Sequence, residues 1–141
     1  MDLWIDTNVI IRFLSGDHAG HSVMAKKLFA LAYNGKYTLW VHNLVAAECC
    51  YVLESRQYGY DREVIATHLI SLMNTRGVKP KSRDIINALE LYREHNVDFE
   101  DAYLSVLSSN RKVHGIASFN IKDFQRCGCE CYHPGSLITS D

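Results

Sequence analysis

Hydrophobic residues recur along this chain with two different periods, and the two periods alternate. Runs rich in β-branched and aromatic residues predict four strands, at residues 2–6 and in the stretches YTLWVH, VHGIASFN and CECYHP. Apolar residues at three- and four-residue spacing predict six helices between these strands. The predicted helices span residues 9–14, 21–34 and 43–58, or begin after the capping residues Asp61, Ser82 and Asp98.

The order of these elements favours an α/β fold. Helices separate the first strand from the strand that ends near Ser118, which favours parallel pairing and a layered domain. The sequence has no evident linker or repeat, so residues 1–141 are expected to form a single domain. In parallel sheets, functional residues lie beyond the carboxyl ends of the strands, and Asp6 and Asn120 occupy such positions.

Composition narrows the functional class only slightly. The 48% apolar and 22% charged fractions are typical of a soluble globular protein, and the net charge of −1 does not by itself indicate a nucleic-acid-binding protein. Basic residues form local clusters that are most simply explained as solvated surface. These clusters are Lys26–Lys27, Lys79/Lys81/Arg83, Arg111–Lys112 and Lys122/Arg126.

The chain is expected to be cytoplasmic and to have no contact with membranes. No apolar stretch approaches the roughly 20 residues that a membrane-spanning helix needs. The N-terminus lacks the pattern of an export signal. Five cysteines, an odd number, fit reduced thiols better than a disulfide framework.

Three carboxylates stand out because of where the pattern places them. Asp6 ends the first predicted strand, although a turn alone would account for an aspartate there. Glu48 is the one charged residue in LVAAECCYVL, a helical stretch that is apolar on nearly all sides and is therefore predicted to be buried. A buried glutamate needs a partner or a perturbed pKa, so Glu48 is the strongest functional candidate. Asp101 lies in the first turn of a helix, where an acid also satisfies free backbone N–H groups.

Further polar residues accompany Asp101. Asp98, Asp101, Ser105 and Ser108 are predicted to form one polar stripe, which would face solvent or line a cleft. Asp123 follows the next strand closely, although turn chemistry alone would explain it.

Acids at these positions would bind a hard divalent ion if the fold brought them together. Carboxylates about 4 Å apart repel by roughly 4 kcal/mol per pair at an effective dielectric near 20, and protonation or a cation relieves that repulsion. A ligand set of oxygens with few or no histidines favours Mg²⁺ or Mn²⁺. Spacing along the sequence does not establish convergence, so the metal site is a hypothesis.

Several stretches taken together resemble a PIN domain and, within that family, the VapC-type toxin ribonucleases. They are IDTNVIIRFL, the lone Glu48 in its apolar helix, NVDFEDAYLSVLSSNRKV, ASFNIKDFQR and CECYHP, in this order over essentially the whole chain. The resemblance implies a three-layer α/β/α domain with a parallel sheet of about five strands. It also implies a nuclease that hydrolyses RNA phosphodiester bonds with Mg²⁺ or Mn²⁺ as cofactor.

The resemblance implies roles for individual residues. The family's catalytic, metal-binding acids correspond to Asp6, Glu48 and Asp101. Thr7 and Asn8 match the polar residues that follow the first acid, and they would orient Asp6 through hydrogen bonds.

The region after the last-but-one strand departs from the family pattern. A further acid often stands at the position of Asn120, where this chain has an amide. Asn120 would still bind a metal through its carbonyl oxygen, and Asp123 is close enough in sequence to substitute. Ser118 is expected to contact the phosphate or the metal's water, and Asp98 to support the site beside Asp101.

The function that the resemblance implies is the toxin half of a toxin–antitoxin pair. RNA would be the substrate, an antitoxin protein would cover the acidic cleft, and the helices after Glu48 would offer a homodimer face. An alternative is a PIN scaffold that binds RNA or a protein with little catalysis, which the amide at Asn120 would suit. A phosphoacceptor receiver domain requires paired acids at the first strand and an aspartate ending the second, and the sequence has neither.

The cysteine-rich segment RCGCECYHP raises the question of a zinc site. Cys129, Cys131 and His133 share one face of the predicted strand, and free cysteine behaves as a small buried hydrophobe. Zinc ligand pairs more often have gaps of about two to four residues, with a second pair elsewhere. Ordinary packing is therefore the better interpretation of these residues.

Overall fold

The structure, a computed structural model, describes residues 1–110 and 112–138. Arg111 of the basic pair Arg111–Lys112 therefore lies outside the described residues. The chain divides into two compact units, Met1–Ile86 and the residues from Asn87 onwards. The boundary falls inside one helix, α5 (Arg83–His95).

The first unit contains a parallel sheet and the helices α1 to α4. Its elements before α5 are β1 (Asp2–Trp4), α1 (Thr7–Ser15), α2 (Ala19–Tyr33), β2 (Thr38–Val41), α3 (Asn43–Glu54), α4 (Arg62–Met73) and β3 (Val78–Pro80). β2 lies between β1 and β3 and pairs with both in parallel. Leu3, Leu39 and Val78 stand in register across the three strands.

The two faces of this sheet have opposite character. Leu39 and Val78 are buried, because side chains alternate between the faces of a strand and this set points towards the core. Trp4, Trp40 and Lys79 stand in register on the other face. Trp4 and Lys79 are exposed and Trp40 is half-buried, so this face of the sheet meets solvent.

Helices cover the buried face. α1 packs against α2 and α3, α3 packs against α4, and both α2 and α4 contact β3. Ile10 and Ile11 of α1 are almost completely buried, as is Cys49 of α3. Burying aliphatic side chains of this size is worth about 1.5–3 kcal/mol each, so α1 is anchored firmly to the rest of the unit.

The second unit is smaller and has a second parallel sheet. After α5 it contains α6 (Phe99–Ser109), β4 (Ile116–Ala117), α7 (Ile121–Arg126), β5 (Cys131–Tyr132) and α8 (Pro134–Leu137). β4 pairs with β5 in parallel. α6 packs against β4 and α7, and Phe99, Ile116 and Phe124 are buried.

The α/β class and the parallel strand pairing are confirmed, but the single sheet of about five strands is not seen. Within residues 1–110 and 112–138 the strands form a three-stranded and a two-stranded sheet. The four predicted strands are present, each shorter than expected. The sequence pattern does not predict β3, because this strand is only three residues long and ends in a proline, a residue that is disfavoured within sheets. None of the helices in the described part of the chain is long and apolar enough to cross a membrane.

Gly77 allows the turn before β3 to pass very close to α2. Its φ is +88°, and a Cβ at this position would lie 2.3 Å from the carbonyl oxygen of Ala32. Ala32 is itself fully buried, so it has no room to move away. The Gly77 carbonyl accepts the Leu39 N–H at 2.8 Å, which ties the same turn to β2.

Gly77→Ala is expected to destabilise the protein by at least about 1 kcal/mol more than Gly35→Ala, because overpacking against backbone adds to the strain of a positive φ. Gly35 is the matched control, since its φ is +92° and a Cβ there would meet nothing within 4 Å. Urea unfolding of the two variants measures the difference. Equal losses would show that the close approach to Ala32 carries no cost.

A hydrogen-bonded ion pair holds the end of α1 to the segment after α3. The carboxylate of Asp17 accepts from Arg12 Nη1 at 3.0 Å, from Ser15 Oγ at 2.6 Å and from the Tyr58 hydroxyl at 2.6 Å. These bonds, first that of Ser15 and then those of Tyr58 and Arg12, hold the pKa of Asp17 well below its ordinary value. The ionised form of Asp17 is therefore the one that stabilises the fold.

Asp17→Asn is expected to lower the urea midpoint at neutral pH, and the deficit should shrink as the pH falls. A depressed pKa in the folded state gives stability that is fully present above the ordinary pKa of 3.8 and is lost progressively as the pH falls from there towards the lower pKa of the folded state. The measurement compares variant and wild type at neutral pH and at the lowest pH at which the wild type is still folded. Asp61→Asn is the control, since Asp61 caps α4 without a side-chain hydrogen bond to that helix. A deficit that does not change with pH would contradict this explanation.

Candidate metal and catalytic site

Asp6 lies at the carboxyl end of β1, where the strand gives way to α1. Its Oδ1 accepts the backbone N–H of Thr7 at 2.8 Å, so Asp6 is the N-cap of α1. The residue is exposed. The cap bond thus fixes the side chain while the negative charge stays accessible from solvent.

The two polar residues after Asp6 differ in their environments. Thr7 is 2% exposed, and its Oγ1 is a buried side-chain oxygen for which the described residues provide no hydrogen-bond partner. It is the Thr7 backbone N–H, not the hydroxyl, that contacts Asp6. Asn8 is exposed and lines a groove with Val9 and Met24.

Glu48 is exposed, contrary to the burial that its apolar surroundings predict. Leu44 and Tyr51, about one turn away on either side, are 70% and 76% exposed, whereas Cys49 and Leu53 are buried. Helix α3 therefore carries apolar residues on its solvent face as well as on its core face. The lone charge marks the solvent face, and Glu48 needs no buried partner.

The negative charges of Asp6 and Glu48 both affect the pKa of one buried thiol, that of Cys49. Burial raises the pKa of Cys49 to about 12, and the negative charges of Glu48 and Asp6 raise it as well. The turn that holds Asp6 therefore lies beside α3, in agreement with the packing of α1 against α3. We refer to Asp6 and Glu48 as the first acid pair.

The second unit contains a separate cluster, Asp98, Asp101, Asn120 and Asp123, which we call the second acidic cluster. Nδ2 of Asn120 donates to Oδ2 of Asp123 at 2.7 Å and, more weakly, to Oδ2 of Asp101 at 3.5 Å. Asp123 also forms an ion pair with Arg126. The amide therefore bridges two carboxylates, one of which is already compensated by a cation.

The surroundings of Asp101 disfavour the charged form of its carboxyl group. Burial raises its pKa, and the negative charges of Asp98, Asp123 and Glu100 raise it further, while the hydrogen bond from Asn120 lowers it. Asp98 caps α6 without a side-chain hydrogen bond to that helix. Excess negative charge therefore collects around Asp101, where a bound cation would relieve the repulsion.

Two serines that the sequence pattern singled out have local structural contacts. Ser118 Oγ accepts the Asn120 N–H at 2.9 Å and so shapes the turn before α7. Ser105 is 2% exposed and donates to the Asp101 carbonyl at 2.8 Å. The predicted polar stripe is therefore wrong at Ser105, which belongs to the core.

Arg126 is a residue of this region that sequence analysis did not single out as functional. It forms the ion pair with Asp123, and its Nη1 donates to the His95 carbonyl at 3.1 Å. The available signal was the three-residue spacing of Asp123 and Arg126, which brings two side chains together on a helix.

A comparison with protein-family models matches residues 3–127 to the PIN domain. The chain belongs to the PIN-domain family. No curated protein matches it. PIN domains are generally nucleases that use divalent metal ions, so the acids of the two units are to be compared with the requirements of such an ion.

The donors that this PIN domain offers fit a hard divalent ion in their chemistry. Within residues 1–110 and 112–138, no three His, Cys, Asp or Glu side chains are grouped so as to hold a metal. The first acid pair and the second acidic cluster nevertheless consist of oxygen donors, the type that Mg²⁺ and Mn²⁺ prefer. Excess negative charge around Asp101 and the unsatisfied hydroxyl of Thr7 agree with a charged or polar ligand in each unit.

Asn120→Asp is expected to destabilise the metal-free protein by about 1 kcal/mol, because two hydrogen bonds to carboxylates become repulsion that solvent partly screens. Mn²⁺ should then stabilise the variant more than it stabilises the wild type. Melting temperatures with EDTA and with Mn²⁺ measure both effects. Gln125→Glu adds the same charge at an exposed position of α7 and serves as the control. If both variants respond alike to Mn²⁺, Asn120 does not face a cation.

Proposed function

We propose that this PIN domain is a Mg²⁺- or Mn²⁺-dependent endoribonuclease of the VapC-like group, and the toxin of a toxin–antitoxin pair. The observation that carries the proposal is the first acid pair, in a chain whose family generally consists of nucleases. These two exposed carboxylates both raise the pKa of Cys49 through their negative charge. They provide local negative charge at the carboxyl end of β1, where parallel sheets place functional groups.

In this proposal the whole chain, residues 1–141, works as a single three-layer PIN domain. Asp6, Glu48 and Asp101 are the catalytic carboxylates and would hold the ion, with oxygens of Asn120 and Asp123 as additional ligands. A bound divalent ion supplies Lewis-acid chemistry that offsets negative charge on the phosphate.

The chain's own contacts support distinct tasks for these side chains. The cap bond from the Thr7 N–H holds the Asp6 carboxylate in one orientation. Arg126 compensates Asp123, whereas Asp101 has one long hydrogen bond, from the Asn120 amide. Burial and, after it, the negative charges of Asp98, Asp123 and Glu100 raise the pKa of Asp101.

The remaining polar residues would support the site. We propose that Thr7, Asn8, Asp98 and Ser118 orient the acids or contact the phosphate. Support for Thr7 comes from its buried, unsatisfied hydroxyl, and support for Ser118 comes from its bond to the Asn120 backbone.

The proposed partners follow from the exposed apolar residues of the first unit. Leu44 and Tyr51 flank Glu48 on the solvent face of α3, and we propose that a cognate antitoxin covers this face. Tyr60 and Val64, in the segment and helix that follow α3, are 39% and 38% exposed. We propose that they contribute to a homodimer face of a cytoplasmic protein.

Asp6→Asn and Glu48→Gln are each expected to reduce Mn²⁺-dependent RNA cleavage by more than about 100-fold, since even the residues that orient metal ligands contribute about 10–100-fold. Asparagine also caps helices well, so Asp6→Asn should fold normally. The measurement is cleavage of a structured RNA with Mn²⁺.

Two controls match these variants. Asp61→Asn changes another aspartate N-cap, and Glu90→Gln changes another exposed glutamate on a helix. Both controls should cleave RNA like the wild type. Equal cleavage by Asp6→Asn and wild type would refute the nuclease proposal.

A second candidate function is RNA or protein binding with little catalysis. The observation that favours it is the engagement of Asp123 by Arg126 and Asn120, which satisfies this carboxylate without any metal. RNA binding without Mn²⁺-dependent cleavage, under conditions where a control nuclease is active, would favour this candidate over the first.

A further inference from the structure

The exposed face of the three-stranded sheet carries a cluster that the acids do not account for. We call it the tryptophan patch: Trp4, Trp40, His42, Lys79 and Lys81. Trp4, Trp40 and Lys79 stand in register on adjacent strands. Lys81 extends β3 on the same face, and its N–H bonds the Val41 carbonyl at 2.8 Å.

The two indole rings are fixed but remain accessible. Nε1 of Trp40 donates to Oδ2 of Asp2 at 3.1 Å, and Lys79 Nζ lies 5.7 Å from the centre of the Trp40 ring. Trp4 meets Trp40 and His42 at steep angles, with ring centres 6.5 and 5.6 Å apart. Trp4 is nevertheless 63% exposed. A large aromatic ring is therefore held on the surface by edge contacts.

On the basic side of the patch, two hydrogen-bond donors, His42 Nε2 and Lys81 Nζ, lie next to each other. Nδ1 of His42 accepts the Leu44 N–H at 3.1 Å, so the proton of the neutral ring is on Nε2. Lys81 Nζ lies 3.5 Å from that Nε2. Two N–H groups so close cannot bond each other, and an acceptor such as a phosphate oxygen would satisfy both.

Other charges near the patch also favour an anion. His42 is the N-cap of α3, a helix of 12 residues whose N-terminus carries partial positive charge. Lys79 and Lys81 add two positive charges, and the carboxylate of Asp2 beside the patch is engaged by the Trp40 indole N–H. Exposed rings beside cationic groups are the combination by which proteins bind single-stranded nucleic acid, through base stacking and phosphate contacts.

We propose that the tryptophan patch is a base-stacking subsite for single-stranded RNA. Trp4 and Trp40 would stack on bases, and Lys79, Lys81 and His42 would bind the phosphates. Trp4 stands two residues before Asp6, so RNA bound here would continue towards the proposed catalytic carboxylate. The choice of RNA rests on the proposed function, whereas the rings and cations themselves are observed. The chemistry of the patch favours this ligand over a second copy of the chain, because two like-charged patches would repel.

Tryptophan fluorescence tests the proposal directly, because the sequence contains 2 tryptophans and both belong to the patch. The wild-type chain is titrated with a uridine dodecamer in EDTA, where cleavage cannot interfere. The expected result is saturable quenching of the fluorescence. RNA that binds, as shown by the anisotropy of a labelled dodecamer, without changing the fluorescence would overturn the proposal. So would the absence of any binding.

Substitutions separate stacking from charge. Trp4→Leu should weaken binding by about 5- to 100-fold, and Trp4→Phe, which keeps a ring, by much less. The double change Lys79→Met with Lys81→Met should weaken binding and reduce the salt slope by about 0.7 for each lost phosphate contact. Lys26→Met with Lys27→Met, two exposed lysines of α2, is the matched control and should change neither. Urea unfolding confirms that each variant is folded.

The outcomes distinguish this proposal from the nuclease proposal. If RNA quenches the fluorescence but wild type and Asp6→Asn cleave RNA equally, the subsite proposal stands and the nuclease proposal is refuted. If the wild type cleaves RNA as proposed but Trp4→Leu binds RNA with unchanged affinity, only the subsite proposal is refuted. A tryptophan signal that changes on dilution of the protein without RNA would assign the patch to self-association and overturn the proposal.

Discussion

Repulsion between carboxylates is the constraint that acts on the acids of both units, and the chain meets it differently at each acid. Asp6 accepts a backbone N–H at the start of α1, where the helix dipole also favours negative charge. Asp123 is compensated by Arg126 and by the Asn120 amide. Burial and neighbouring acids disfavour the charged form of Asp101, whereas one long hydrogen bond, from Asn120, favours it. Within the second unit, a bound cation would therefore offset the repulsion around Asp101.

The parallel sheet of the first unit provides a second constraint, because the short strand β1 places side chains on both faces of the sheet. β1 contributes Leu3 in register with the buried Leu39 and Trp4 in register with Trp40. The next residues turn into α1, which buries Ile10 and Ile11. Core packing thereby fixes the position of Asp6 at the strand end. It also fixes the register that gathers the tryptophan patch, so packing and surface chemistry depend on the same residues.

Much of this architecture could be predicted from the sequence, for reasons that are local. Asp6 ends a strand of β-formers and begins a helix, and the structure has that turn with Asp6 as the cap. Asp98 is the N-cap of α6, as the sequence predicts, although its side chain makes no hydrogen bond to that helix. What could not be predicted depends on tertiary packing. β3 is too short to show a period, and the placement of the strands in two sheets is not encoded in any local pattern.

Glu48 shows how a sequence pattern can single out a residue through a burial that the structure does not have. Sequence analysis chose it because an apolar helix should be buried, yet α3 exposes Leu44 and Tyr51 beside it. An exposed carboxylate keeps its hydration, pays no desolvation cost for its charge and is reachable by a cation or substrate from solvent. A buried carboxylate would instead be neutral, paired with another charge or bound to a metal ion. The exposure of Glu48 is thus compatible with the exchangeable ion that we propose.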